Sequence, residues 1–367
     1  MNDKDLFYKI ALSSVYGVGS KTAQNLVAYS GGVAEVFKLT KKELANIPGV
    51  GNCLAERITD KDVFMRAEKQ LSFVKEREIK VFFFTDSDFP RRLKECPDFP
   101  VILYAFGNMN LHRSRVVSIV GTRMISDYGQ AICNSIIGQI RDFDREILVV
   151  SGLAYGVDIN IHRACINNNI QTVGVLGHGL NTIYPQAHKR EATQMLKNGG
   201  LLTDFANDST FDRKNFVRRN RIVAGLADAT IIIESAEKGG AMITGEIAQS
   251  YDRDVFAFPG NINSKYSKGC HKLIKTNIAA LCENFTDVVQ AMNWSENTSI
   301  PTVVQPELFP SLNEEEHLII KKLKEKKYPI DKLALETGLP VKKLSPILLS
   351  LELKGVIKSL PGNLYSV

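Results

Sequence analysis

The sequence lacks the cysteine and histidine patterns of metal sites and disulfide frameworks. Its six cysteines form no CxxC pair, and no pair of histidines lies beside them at the spacing of zinc ligands. Secreted small domains and zinc modules depend on such patterns. We therefore expect reduced thiols, no bound metal and a cytoplasmic protein.

Long hydrophobic runs are also missing. The longest apolar runs have about the length of a strand, far short of the ~20 residues of a membrane-spanning helix. The opening MNDKDLFYKIALSS has no basic start followed by an apolar core, so we expect neither a secretion signal nor membrane association. The net charge of +6, with 44% apolar and 23% charged residues, is typical of an ordinary globular protein.

Common catalytic and cofactor-binding motifs are absent as well. The turn after residues 115–120 holds one glycine where a dinucleotide site needs GxGxxG, and neither GxxxxGK[ST] nor GxSxG occurs. His162 follows Asp158 by four residues, which places both on one side of a predicted helix. Two ligands are too few for a metal site, so we expect helix packing or capping there. The sequence therefore predicts no cofactor.

Residues 1–75 have the pattern of short helices with an internal repeat. GVGSKTAQNLV begins at Gly17 and GVGNCLAERI at Gly49. The glycine turns leave backbone N–H groups uncovered, and the helix that follows adds the positive end of its dipole, which together can hold a phosphate. The segment resembles the helix-hairpin-helix (SAM-like) element of DNA-binding proteins. A tight helix–helix turn without a ligand fits the pattern equally well.

Residues 76–295 alternate between apolar strands and segments of helix length. The strand candidates are 80–84, 115–121, 146–152, 172–177, 200–205, 229–234 and 254–260. The helix candidates include 127–141, 156–168, 185–197 and 241–251. Continuous β-branched runs that each precede a turn and a helix favour a parallel sheet covered on both faces. We predict an α/β fold with a Rossmann-like, doubly wound parallel sheet.

The last part of the chain predicts a linker and a winged helix-turn-helix domain. Residues 296–313 hold three prolines and little periodicity, and residues 314–367 read as three helices with two short strands. The expected recognition helix offers Lys342, Lys343 and Lys354 but no arginine or asparagine to read base edges. We expect this domain to contact protein, or DNA weakly and without sequence specificity.

Glycine-bearing turns follow several of the predicted strands, where an open parallel sheet binds its ligands. Backbone N–H groups in such turns can approach an anion closely because glycine has no side chain. The candidate binding residues in these turns are Gly121, Thr122, Arg123, Ser151, Gly152, Gly177, Gly179, Lys238 and Gly240.

A dense group of cations precedes the strand 229–234, in the stretch DRKNFVRRNRIVAGLADATIIIE. Its members are Arg213, Lys214, Arg218, Arg219 and Arg221. They open a predicted helix, where the helix dipole favours acids. A solvated helix face is the simple interpretation, but a polyanion that completes the site explains the inverted charge better.

Five stretches occur in order through the central domain: SIVGTR, SGLAYGVDINIHRA, VGVLGHGLNTIYP, NFVRRNRIVAGLADATIIIESAEKGGAMIT and DVFAFPGNINSKYSKGCHKLI. In these stretches the sequence resembles the DNA-processing protein A (DprA/Smf) family of bacterial transformation proteins. The resemblance implies a protein that is not an enzyme and that binds and protects incoming single-stranded DNA in a basic pocket of the Rossmann-like domain. It also implies a homodimer through that domain and loading of the RecA recombinase.

The resemblance carries roles over to individual residues. Arg123 would contact phosphate, and Phe216 would meet a base. Arg218, Asn220 and Arg221 would line the pocket. Gly121, Ser151, Gly152, Gly177 and Gly179 would frame it.

This chain departs from the family pattern at three places. Gly239-Gly240-Ala241-Met242 stands where the family usually has serine-glycine-serine-leucine. Tyr155 replaces a frequent arginine, and His188 replaces a frequent asparagine. These departures bear on the shape of the pocket, not on the fold.

An enzymatic alternative rests on GGAMITGE, residues 239–246. It is similar to the GGxGTxxE signature of nucleotide phosphoribohydrolases, which share this sheet architecture. Glu246 would then assist cleavage of an N-glycosidic bond. Because Met242 replaces the fourth-position glycine and the threonine is displaced by one, we favour a carboxylate on a helix surface for Glu246.

Overall fold

A computed structural model of the chain describes residues 3–294, 313–353, 356–360 and 364–366. The chain divides into two compact units, residues 1–296 and 297–367. The predicted linker, apart from Asn313, and Lys354 lie outside the described residues.

Six helices form the N-terminal part of the first unit. They are α1 (Asp3–Ser13), α2 (Ser20–Ser30), α3 (Val33–Val36), α4 (Lys41–Ala45), α5 (Asn52–Ile58) and α6 (Lys61–Glu76). The two glycine turns dock reciprocally: Arg57 of α5 donates to the Tyr16 carbonyl at 3.2 Å, and Asn25 of α2 donates to the Pro48 carbonyl at 2.8 Å. Each copy of the repeat therefore supports the turn of the other, and the predicted helix-hairpin-helix arrangement is confirmed.

A nine-stranded sheet forms the centre of this unit. Its strands are β1 (Lys80–Phe83), β2 (Ile102–Asn108), β3 (Val116–Val120), β4 (Leu148–Ser151), β5 (Thr172–Val175), β6 (Gly199–Thr203), β7 (Ala229–Ile232), β8 (Asp254–Ala257) and β9 (Ala280–Leu281). Their order is β1-β2-β6-β5-β4-β3-β7-β8-β9. The pairs β1–β2 and β2–β6 are antiparallel, and the pairs from β6 through β9 are parallel. The sheet is thus mostly parallel, and β2 and β9 are strands that the sequence analysis did not predict.

Helices cover both faces of the sheet. They are α7 (Arg91–Lys94), α8 (Asp127–Phe143), α9 (Val157–Asn168), α10 (Lys189–Met195), α11 (Arg213–Leu226), α12 (Gly240–Ser250), α13 (Lys268–Lys275) and α14 (Phe285–Ala291). In β3, Val117 and Ile119 face the core beneath α8, α9 and α14, whereas Val116 and Val120 face the core beneath α11, α12 and α13. This alternation buries the strand completely and explains its unbroken apolar sequence. The predicted doubly wound, Rossmann-like fold is confirmed.

The N-terminal helices pack against the antiparallel side of the sheet. The Lys9 ammonium of α1 forms a buried ion pair of 2.6 Å with Asp86, which follows β1. The Gln70 side chain of α6 accepts a hydrogen bond from the Asn207 N–H at 3.0 Å. The helical segment and the sheet therefore share one compact unit.

The second unit has the architecture of a winged helix-turn-helix. Helices α15 (Glu314–Glu325), α16 (Ile330–Thr337) and α17 (Val341–Leu353) accompany strands β10 (Tyr328–Pro329), β11 (Lys358–Leu360) and β12 (Leu364–Ser366). The strands pair antiparallel in the order β10-β12-β11. Gly338 turns the chain between α16 and α17 at φ 71°, a conformation that favours glycine. Lys342 is exposed, whereas Lys343 pairs with Glu315 of the same unit.

Among the described residues, every helix is too short or too polar to pass through a lipid bilayer.

Candidate nucleic-acid interface

A groove opens at the carboxyl edge of the sheet where the strand order reverses. In the sheet, β3 has β4, the next strand of the chain, on one side and β7 on the other side. At such a switch point the flanking loops diverge and leave a crevice for a ligand. With the solvent space that opens into it included, the crevice has a volume of about 920 Å³. Its lining includes Gly121, Thr122, Arg123, Gly152, Asp158, Phe216, Arg219, Asn220, Ser235, Gly239 and Gly240.

The turn Gly121-Thr122-Arg123 is fixed by its backbone. The Thr122 N–H donates to the Glu234 carbonyl at 2.6 Å, and the Thr122 carbonyl accepts from the Val157 N–H at 3.1 Å. Gly156 approaches this turn at φ 78°, and a Cβ there would collide with the Thr122 carbonyl. The turn is therefore held between β7 and the start of α9, while the Arg123 side chain remains exposed.

Arg219 forms the floor of the groove. Arg219 is 5% exposed, and its Nε atom has no hydrogen-bond partner among the described residues. Burial lowers the pKa of the Arg219 guanidinium, although the charge of Asp158 acts in the opposite direction. A buried guanidinium with free donor capacity is suited to bind an anion, because a charge-assisted hydrogen bond would offset its desolvation.

Asp158 lies beside Arg219 at the start of α9. Its carboxylate accepts a hydrogen bond from the Ala154 N–H at 3.2 Å, and burial raises its pKa against the effect of the Arg219 charge. A Cβ at Gly152 would collide with both the Arg219 guanidinium and the Asp158 carboxylate. The glycine predicted here is therefore needed for the space it leaves to these two charged side chains.

His162 supports the Gly152 loop from below. It is fully buried and lies 2.5 Å from the Gly152 carbonyl through Nε2 and 2.8 Å from the Thr172 hydroxyl through Nδ1. Because the carbonyl can only accept, Nε2 donates to it and Nδ1 accepts from the hydroxyl. Burial lowers the pKa of His162 to about 4, so the ring is neutral. Its role is packing, as predicted.

The cations of α11 point in three directions because successive helical residues are rotated by about 100°. Asp212 caps the helix by accepting from the Lys214 N–H at 2.9 Å, and the side chains of Arg213 and Lys214 are exposed beside it. Arg218 is exposed and lies over the Phe205 ring at 5.6 Å. Arg219 alone of the five cations reaches the floor of the groove.

Arg221 differs from its expected position and does not line the groove. Its Nη2 atom pairs with the Asp204 carboxylate at 2.7 Å, and Nη1 donates to the Asp98 carbonyl. Asp204 has a side chain that is only 5% exposed. The guanidinium of Arg221 is thus occupied by an internal ion pair, which corrects the pocket role that the sequence analysis assigned to it.

Phe216 stands at the groove within a group of aromatic rings. Its ring centroid lies 5.7 Å from that of Tyr184 and 5.3 Å from that of Phe211. Gly177 packs beneath it, since a Cβ there would lie 3.1 Å from the Phe216 backbone. Gly179 packs in the same manner against Asn207. Both glycines allow close packing of the chain. They do not line the groove, although we had expected them to frame the pocket.

Two further candidates have positions other than the expected ones. Ser151 is buried, and its hydroxyl donates to the Ile119 carbonyl at 2.6 Å, which ties β4 to β3. Lys238 is exposed on the turn before α12 and does not belong to the groove lining, whereas its neighbours Gly239 and Gly240 do.

The structure adds groove residues that the sequence analysis missed. Ser235 and Thr244 line the groove, and the Glu234 carboxylate holds its rim by accepting from the Ser126 N–H at 2.9 Å and the Ser126 hydroxyl at 2.6 Å. The sequence signal that could have identified Glu234 was its position at the end of an apolar strand.

Glu246, the acid of the enzymatic alternative, is exposed on α12. Thr244 of the same helix lines the groove, and Glu246 does not. The groove therefore lacks the carboxylate that an N-glycosidase would need from this segment.

The fold and the groove define a class: an α/β protein with a Rossmann-like domain, a helix-hairpin-helix segment and a winged-helix domain. Residues 80–293 match the family model of DNA recombination-mediator protein A, residues 9–61 match a SAM-like helix-hairpin-helix tandem, and residues 305–363 match the DprA winged helix domain. The first match spans more than half of the chain, so the protein belongs to the DNA recombination-mediator protein A (DprA/Smf) family.

Individual relatives agree with this assignment. Protein Smf of Synechocystis sp. is 29% identical, over 100% of this chain and 99% of its own length. The X-ray structure of DNA processing protein A from Streptococcus pneumoniae has a TM-score of 0.62 at 29% identity and covers 79% of this chain and 98% of its own. The structure of DNA processing protein A from Helicobacter pylori, a protein with a single-stranded DNA binding mode, has a TM-score of 0.52 at 25% identity and covers 59% of this chain and 96% of its own.

Proposed function

We propose that this protein binds single-stranded DNA in the groove between β3 and β7, with little sequence preference. The observation that carries the proposal is Arg219, a buried guanidinium on the floor of the groove whose Nε has no partner among the described residues. Relatives in the same family, one of them with a single-stranded DNA binding mode, support the choice of ligand.

The phosphate backbone of the strand would lie against Arg219 and Arg123. The groove also contains the start of α12. The N-cap residue of this helix is Gly239, which has no side chain to cap the first N–H groups. The first N–H groups of such a helix are available to an anion, and the helix dipole favours negative charge there. Guanidinium groups and helix amides therefore face one cleft.

The exposed cations at the start of α11 extend this surface beyond the groove. Arg213, Lys214 and Arg218 are exposed and unpaired with acids in the part of the chain described. Each phosphate that such cations neutralise releases counterions, so affinity would fall steeply as salt increases. Binding through phosphates supplies affinity without reading sequence.

At the level of the cell, we propose that the protein protects incoming single-stranded DNA and loads the RecA recombinase during transformation. Its membership of the recombination-mediator family supports this role. A homodimer through the Rossmann-like domain would present two grooves to one strand and raise avidity.

An oligonucleotide titration tests the groove. Arg123→Ala removes an exposed side chain from a fixed turn, and we expect it to weaken binding to oligo-dT several-fold. Arg145→Ala is the matched control, since Arg145 is also exposed but precedes β4 at the opposite edge of the sheet. If Arg123→Ala and Arg145→Ala both bind like the parent, the strand does not bind in this groove.

A further inference from the structure

A cavity opens at the amino edge of the sheet, opposite the edge that holds the DNA groove. It lies between α7, the segment that leads into β3 and the residues that precede β7 and β8. With the solvent space that opens into it included, its volume is about 760 Å³. The residues that line this amino-edge cavity are Arg91, Arg92, Glu95, Leu111, His112, Arg113, Ser114, Asp228 and Arg253.

Arginine dominates the charge of the amino-edge cavity, whose lining holds four guanidinium groups and two carboxylates. Arg92 and Asp228 neutralise each other, because Nε lies 2.6 Å from one carboxylate oxygen and Nη2 lies 2.8 Å from the other. The Glu95 carboxylate is shared, at 3.1 Å from Arg91 Nε and 3.3 Å from Arg253 Nη2. Since one carboxylate cannot neutralise two guanidinium groups, a positive charge remains in the cavity.

Arg113 and Arg253 have hydrogen-bond donors that the protein leaves unpaired. Arg113 forms an ion pair through Nη1 with Glu146, which lies outside the cavity lining. The Nε atoms of Arg113 and Arg253 have no hydrogen-bond partner among the described residues. Because unpaired buried donors cost stability, an anion beside these two guanidinium groups would be favourable.

Arg92 holds the walls of the cavity together. Its Nη1 donates to the Arg113 carbonyl at 3.0 Å, and its Nη2 donates to the Ser114 carbonyl at 2.8 Å. The Arg92 carbonyl in turn accepts from Arg253 Nη2 at 3.1 Å. The three segments that carry the arginines are therefore fixed before a ligand binds, which reduces the entropy lost on binding.

We propose that the amino-edge cavity binds a phosphate group between Arg91, Arg113 and Arg253. Guanidinium groups present planar, forked donors that match the oxygens of a phosphate. The Glu95 side chain, which is 49% exposed, occupies the donors of Arg91 and Arg253. The phosphate would displace this carboxylate into solvent and take its place. This site is separate from the DNA groove and does not depend on it.

Calorimetric titration with inorganic phosphate at constant ionic strength tests the site. Arg91→Gln should weaken phosphate binding several-fold without disturbing the fold, because the Arg91 side chain is 89% exposed. Glu95→Gln should strengthen phosphate binding several-fold, because it removes the competing charge. The matched control is Arg145→Gln, which removes an exposed arginine outside the cavity lining and should bind phosphate like the parent. Phosphate bound in the DNA groove would not respond to substitutions at the opposite edge of the sheet.

The site is refuted if the parent binds no phosphate, or if either substitution fails to shift phosphate binding in its expected direction. An equal loss in Arg145→Gln would show a general effect of surface charge and would also refute it. Once the site is established, titration of Arg91→Gln with oligo-dT identifies the source of the phosphate. Reduced affinity assigns the cavity to the DNA backbone. Parental affinity for oligo-dT, with weakened binding of dTMP, assigns it to a small phosphate-bearing molecule.

Discussion

Replacing Arg221 by alanine is expected to destabilise the fold while leaving the DNA groove intact. Arg221 belongs to the same cationic stretch as Arg219, so the sequence gives both the same expected role. In the structure Arg221 is bound to Asp204, and only Arg219 lies on the floor of the groove. Substitution of Arg221 should therefore lower the stability of the fold, whereas substitution of Arg219 should weaken DNA binding.

The magnitude follows from the burial of the pair. The side chains of Arg221 and Asp204 are 14% and 5% exposed, and their closest atoms are 2.7 Å apart. Removing the arginine leaves the Asp204 carboxylate buried without its counterion, for which a loss of about 3–5 kcal/mol in the free energy of unfolding is typical. Replacing both members, as in Arg221→Met with Asp204→Leu, should recover much of that loss, because no isolated charge remains.

Urea denaturation and oligo-dT titration of the same preparations provide the assay. For Arg221→Ala we expect a clearly lower denaturation midpoint and, below that midpoint, parental affinity for oligo-dT. The double variant should regain stability relative to Arg221→Ala. If Arg221→Ala keeps the parental midpoint but loses affinity, Arg221 contacts the strand and the ion pair is not its main role.

Three further outcomes are expected. Gly156→Ala should destabilise the Gly121-Thr122-Arg123 turn and weaken binding of oligo-dT, because a Cβ there would strike the Thr122 carbonyl; parental stability and affinity would contradict this. Stability should fall by about 3 kcal/mol as pH drops from 6.5 to 4, since the unfolded chain gains a proton on His162 that the folded state, with a pKa of about 4, does not bind. Urea midpoints across this range should drop less in His162→Gln than in the parent, and equal pH slopes would refute the assignment. A thiol reagent should label only Cys53 rapidly in the native protein, because the other five cysteines are buried; fast labelling of a second thiol in the native state would show a more open core.

Much of the fold was predictable because buried parallel strands leave continuous apolar runs in the sequence. Strand β2 was missed because it pairs antiparallel with β1 and β6 and has no helix following it as the parallel strands do. Strand β9 has only two residues, too few for a pattern.

The candidate site was predictable at the level of the sheet edge but not of single side chains. Gly121, Arg123 and Gly152 lie at the groove because the ends of parallel strands meet at one edge. The fate of Arg221 depends on Asp204, 17 residues earlier in the chain, and sequence pattern does not reveal such a pair.

Residues that depart from the family pattern lie at the groove and beside it. Tyr155 and His188 occupy two of the departing positions, and their ring centroids lie 4.8 Å apart. Gly239 and Gly240, from a third departing segment, line the groove. These departures therefore bear on the fine shape of the site.

A crystal structure with short oligothymidine would show whether the strand binds at Arg219. We expect a phosphate of the strand within hydrogen-bond distance, about 2.7–2.9 Å, of the guanidinium of Arg219, with Arg123 turned toward the same strand. A bound strand that lies elsewhere on the protein while the groove at Arg219 stays empty would contradict it.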